Sequence, residues 1–136
     1  MRFLVAWDGS DGAQAALRLA QALAGTDGQL DMVHVLNPLI DAANVQAPST
    51  RDAMVVVTER AQAAMAKAAP AGAGHEVVSL DRGEDVPERL LKEASRLGAD
   101  VMVIASKRAT GIMGSLGSIA QEVLQDSKLP VLIVRA

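Results

Sequence analysis

The chain has no cysteine. A disulfide framework, a thiolate nucleophile and a thiolate metal site are therefore all excluded, as expected of a protein kept in a reducing cytosol. It also lacks an excess of basic residues. Thirteen Lys and Arg against sixteen Asp and Glu leave a formal net charge of -3, which argues against a general binder of nucleic acid or anionic membrane, because both attract a basic face. Long hydrophobic runs are missing as well: no stretch approaches the roughly 20 apolar residues of a membrane helix. In the opening "MRFLVAWDGS", Asp8 follows too soon for a signal-peptide core. The expectation is a cytoplasmic protein, and 136 residues suit a single domain, 1–136, that buries roughly two thirds of its unfolded surface.

Several catalytic signatures are absent too. No Gly-Lys-Ser/Thr closes a Walker loop, and no dinucleotide fingerprint follows the first apolar run. There is no Gly-x-Ser-x-Gly elbow beside a histidine, and no His-Glu-x-x-His, so neither hydrolase chemistry nor a dedicated metal site is signalled. His34 alternates with valines in "MVHVL" and reads as a packed strand residue. His75 begins a surface strand, and the adjacent acids Glu84 and Asp85 are explained by helix capping. The six methionines are spread along the chain as core filler.

What is present is an alternation. "RFLVAW", "LDMVHVL", "HEVVSL", "DVMVIAS" and "PVLIVRA" are short runs dominated by Val, Ile and Leu, the composition of strands buried on both faces of a parallel sheet. Helical patterns separate them. Ala13, Ala16, Leu17, Ala20 and Leu23 recur at helical spacing before Gly25, and Val57, Ala61, Ala64, Met65 and Ala68 form a stripe in a helix over 52–69 that Pro70 ends. Asp85 with Glu88 makes a capping box for a third helix, with Leu90, Ala94 and Leu97 inward and Gly98 as its stop. A fourth begins at Ser118, where Gln121 three residues on repeats the capping pattern. The irregular "NPLIDAANVQAPSTRD" reads as a surface loop. Strands and helices in alternation predict an open, doubly wound α/β sheet, Rossmann-like, with helices on both faces.

In such a sheet the ligand crevice lies at the carboxyl ends of the strands, where the strand order reverses. Three segments should meet there: Ala6, Trp7 and Asp8 with the turn that follows, the end of the second run, and "ASKRATGIMGSLGS" from Ala105 to Ser118. Asp8 can accept hydrogen bonds from ribose hydroxyls or an adenine amino group, or it can cap the next helix. Gly111, Gly114 and Gly117 let the loop turn tightly, and Gly117 and Ser118 open a helix whose positive end favours an anion. Lys107 and Arg108 can add charge-assisted hydrogen bonds. Against this stands the plain alternative of a turn with Ser118 as its helix cap.

Across nearly its whole length, through "FLVAWDGSDGAQAALRLA", "VHVL", "LGADVMVIAS" and "GSIAQEVLQDSKLPVLIVRA", the chain resembles the universal stress proteins. The resemblance implies five parallel strands in the order 3-2-1-4-5. It also implies a homodimer paired through the last strand, residues 130–135, whose unpaired apolar edge would otherwise invite aggregation. ATP binders of the family are similar to one another in a Gly-x2-Gly-x9-Gly-Ser/Thr loop. Here Ala105 and Arg108 stand where the first two glycines fall, Gly117 and Ser118 close the loop, and the spacer is one residue short. Asp8, Val35, Gly117, Ser118 and Ile119 match positions at which binders contact nucleotide, with Asp8 and Val35 near base and ribose and Ser106, Lys107, Arg108, Gly117 and Ser118 near phosphates. Gly111 or Gly114 can supply the missing turn.

Three functions follow from the resemblance. One is a dimeric stress-response or regulatory protein that binds ATP, AMP or another adenine nucleotide, with Mg²⁺ only alongside it. Another is a dimeric interaction module that uses no nucleotide and recognises an unidentified protein partner. The third is a slow ATPase, which needs a positioned base that no carboxylate except Asp8 offers.

Overall fold

A computed structural model describes residues 1–106 and 116–135. Five strands run through it: β1 (Arg2–Ala6), β2 (Gln29–Leu36), β3 (Gly74–Ser79), β4 (Val101–Ser106) and β5 (Val131–Arg135). They form one parallel sheet in the order β3-β2-β1-β4-β5. The helices are α1 (Asp11–Ala24), the one-turn α2 (Pro38–Asp41), α3 (Thr50–Ala68), α4 (Val86–Leu97) and α5 (Ser118–Asp126).

Two apolar layers sandwich the sheet. Phe3, Val5, Trp7, Met32 and Val103 pack against Ala13, Ala16, Leu17 and Ala20 of α1 and Met65 of α3. On the opposite face Leu4, Val33, Met102 and Ile104 pack against Leu90 and Ala94 of α4 and Ala120 and Val123 of α5. Neighbouring residues along β1 thus serve opposite cores, as strand geometry requires. The central strands are buried on both faces, whereas β3, at the sheet edge, is largely exposed.

Several boundaries differ from expectation. The stretch read as a loop contains α2, followed by a 3₁₀ turn over Ala42–Asn44. Pro38 presets the first helical position, and the Asn37 side chain accepts from the Leu39 N–H at 3.1 Å. The next helix begins at Thr50 rather than at 52, because Ser49 caps it by accepting from the Asp52 N–H. Within the helical stripes, Leu23 and Ala64 point outward, and Ala53 takes a buried place in α3. Gly98 ends α4 with a left-handed φ of 67°, as the sequence suggested.

Glu84 is not a capping residue. Asp85 caps α4 by accepting from the Glu88 N–H at 2.9 Å, whereas Glu84 accepts from Lys92 at 2.6 Å, Arg89 at 3.0 Å and the Asp81 N–H at 3.0 Å. Arg89 also reaches Glu93, which in turn holds Arg96. The Lys92 ammonium, the Asp81 amide and the Arg89 guanidinium pull the Glu84 carboxyl down to about 2. A depressed carboxyl stabilises the fold fully above its ordinary value of 4.5 and loses that contribution as the pH falls towards about 2. The melting temperatures of wild type and Glu84→Gln should therefore differ at pH 7 and converge between pH 4.5 and 2. A gap that stays constant across that range would contradict the network.

Among the described residues, no helix is long and apolar enough to cross a membrane.

Candidate functional site

The strand order reverses between β1 and β4, which leave the chain far apart and lie side by side in the sheet. Above their carboxyl ends opens a cavity of about 770 Å³. Nine of the residues assigned to the nucleotide site from the sequence line it: Ala6, Trp7, Asp8, Val35, Ala105, Ser106, Gly117, Ser118 and Ile119. Lys107, Arg108 and Gly114, with Gly111, lie outside the described residues.

Each wall has a local cause. Ala6 and Val35 are the last outward-turning residues of β1 and β2 on the α4/α5 face, and with Ile104 and Leu90 they make an apolar floor. Beyond β1 the chain must turn within four residues to start α1. The Asp8 carboxylate accepts from the Ser10 N–H at 2.9 Å, Gly9 takes a φ of 83°, and the Ser10 hydroxyl caps α1 by accepting from the Ala13 N–H at 3.1 Å. Asp8 therefore shapes the turn but does not cap the helix, and Ser10 has that role.

The fourth helix departs from expectation in the same way. Ser118 is its first helical residue and Gly117 is the N-cap, with φ -61° and ψ 155°. The Gly117 carbonyl accepts from the Gln121 N–H at 3.0 Å. Helices α1, α3 and α4 each begin under a side-chain cap, from Ser10, Ser49 and Asp85. Gly117 has no side chain to offer, and the N–H groups of Ser118, Ile119 and Ala120 have no acceptor within their own helix. Those three residues line the cavity, so the positive end of α5 faces into it.

Ser106 ends β4, only 3% exposed, and its hydroxyl accepts from the Gly117 N–H at 2.8 Å. The charged side chains lining the cavity among the described residues are Asp8 and Asp11.

His34 is placed as predicted, packed in its strand, yet it also lines the cavity. Its ring meets the Trp7 indole edge-on, 6.0 Å between centroids and 81° between planes. Burial lowers its pKa, opposed by the nearby Asp8 and Asp41 charges. Among the described residues, its Nδ1 and the Trp7 Nε1 are both buried without a hydrogen-bond partner. The sequence signalled packing here but not proximity to the crevice. Ser10, Asp11, Val86 and Leu90 also line the cavity; Leu90 was legible only as a core position.

A sequence model of the universal stress protein family matches residues 1–135. The chain belongs to this family. A universal stress protein of Thermus aquaticus is 36% identical over 136 residues, covering 97% of this chain and 96% of the relative. Among solved structures, one from Lactobacillus plantarum superposes with a TM-score of 0.74 at 19% identity, over 99% of this chain and 97% of that one, which supports the fold alone. Another, from Archaeoglobus fulgidus and in complex with dAMP, has a TM-score of 0.60 at 26% identity, over 98% of this chain and 97% of the other. The five-stranded parallel order inferred from the resemblance is the order observed.

Proposed function

We propose that this universal stress protein binds an adenine nucleotide in the cavity and works as a regulatory protein rather than through turnover. The observation that carries the reading is the start of α5, which has no side-chain cap among the described residues and brings its first N–H groups to a crevice that Asp8 also lines. A helix N-terminus favours an anion there, and a carboxylate across an apolar floor suits ribose hydroxyls or an amino group. The dAMP complex of the Archaeoglobus fulgidus relative supports the same ligand class.

In this reading Ala6, Trp7, Asp8 and Val35 lie on the base and ribose side. Ala105, Ser106, Lys107, Arg108, Gly114, Gly117, Ser118 and Ile119 lie on the phosphate side. AMP and ATP share these features. Mg²⁺ would arrive only together with the nucleotide, held by its phosphates. The protein acts in the cytoplasm as a homodimer joined through β5, which among the described residues has no strand beside its outer edge. Nucleotide binding changes the surface offered to a protein partner.

A second reading, an interaction module that uses no nucleotide, draws on two observations. Ala105 and Arg108 stand where the family's binding loop has glycines, and both charged side chains at the described cavity wall are carboxylates.

Ser118→Ala separates the two. Because Gly117 is the N-cap and Ser118 is exposed, the change should alter stability by less than about 0.5 kcal/mol. Loss of a hydroxyl donor to phosphate should weaken AMP binding by about 1–2 kcal/mol. Calorimetric titration with AMP, paired with thermal unfolding, reads both. Unchanged affinity with a stability loss of about 1 kcal/mol, the size of a lost cap, would return Ser118 to a structural role.

A further inference from the structure

We infer that Ser106 is a positioning residue for the phosphate side of this site, acting through Gly117 rather than by touching the ligand. The inference rests on the nucleotide reading above. Ser106 and Gly117 are the two ends of the connection between β4 and α5, and one buried hydrogen bond of 2.8 Å joins them.

The two ends differ in how firmly they are held. Ser106 is the last residue of β4, which pairs with β1 over Val101–Val103 and with β5 as far as Ser106 itself, in register with Arg135. At the start of α5, Ser118 and Ile119 are exposed, and the helix is seated through the buried Ala120 and Val123. The Ser106 hydroxyl therefore ties the entry of α5 to the rigid sheet. The Gly117 N–H, being engaged, leaves the N–H groups of Ser118, Ile119 and Ala120 as the anion donors, set at a fixed height above the strand ends. Preorganised donors bind an anion without first being ordered, so the bond adds to affinity although Ser106 makes no contact with phosphate.

Paired ligands test this. AMP and adenosine differ by the phosphate, and Trp7, the chain's one tryptophan, lines the cavity as a fluorescent reporter. Ser106→Ala should weaken AMP about tenfold and leave adenosine unchanged. Ser106→Thr, which keeps the hydroxyl, should restore AMP binding, and Ser106→Cys, which keeps the volume with a poor acceptor, should resemble alanine. A lower melting temperature with AMP and adenosine affected equally would overturn the inference and leave Ser106 a purely structural residue. Tighter AMP binding in Ser106→Ala would also overturn it, since the hydroxyl would then be competing with phosphate for Gly117. Wild-type protein that binds neither ligand would instead overturn the nucleotide reading, and this inference with it.

Discussion

Replacing Asp8 with Asn is expected to weaken AMP binding by about ten- to a hundredfold while leaving the melting temperature nearly unchanged. The substitution separates two jobs of one side chain. In the turn after β1, Asp8 Oδ1 accepts from the Ser10 N–H, and the amide oxygen of Asn can accept the same bond, so the turn and the Ser10 cap persist. What is lost is the negative charge and an acceptor facing the cavity. A hydrogen bond to a charged group contributes about 1.5–3 kcal/mol, and each 1.4 kcal/mol is about tenfold in affinity. Calorimetric titration and thermal unfolding on the same preparation measure both. A variant that binds AMP like wild type would remove Asp8 from the site, and one that unfolds many degrees lower would make the residue chiefly a turn former.

Leu4→Ala should be the most damaging single truncation for the fold. Leu4 lies in β1 between β2 and β4, fully buried, in the cluster that seats α4 and α5. A cavity left there has strands on both sides and little freedom to collapse, so the expected loss is about 3–5 kcal/mol, the range for well-packed leucines. Against a total of roughly 5–15 kcal/mol this lowers the melting temperature by about 10 °C or more. Leu124→Ala on exposed α5 serves as the control, with an effect within about 0.5 kcal/mol. Urea unfolding of both variants checks the pair, and a Leu4→Ala loss below about 1 kcal/mol would contradict the packing.

The fold was legible because its signals are repetitive. Five Val- and Ile-rich runs divided by helical stripes leave few arrangements beyond a doubly wound sheet, and Gly25, Asp85 and Gly98 punctuate the helices where the structure ends or starts them. Where a cap can be supplied by either of two neighbours, sequence alone misplaces the boundary. Ser10 and Gly117 hold the positions that Asp8 and Ser118 seemed suited to, and the difference lies in backbone geometry that residue type does not specify. Helix α2 escaped notice because four residues carry no periodicity.

The site was legible in outline, since the carboxyl ends of β1, β2 and β4 must converge at the switch point. What stayed hidden depends on long-range contact. The hydrogen bond from Gly117 to Ser106 spans eleven positions, and His34 lines the crevice beside Trp7, whose indole its ring meets edge-on. Glu84 looked like a helix-start acid until folding placed Lys92 and Arg89 beside it.

The central claim, that the cavity holds an adenine nucleotide, is tested most directly by titrating AMP into the wild-type protein and following heat and Trp7 fluorescence together. The account predicts saturable binding with one site per chain, a change in the Trp7 signal that tracks the heat, and a competitive response to ATP. Flat heat and unchanged fluorescence up to millimolar AMP would contradict it, and would favour a family member whose crevice serves protein partners instead.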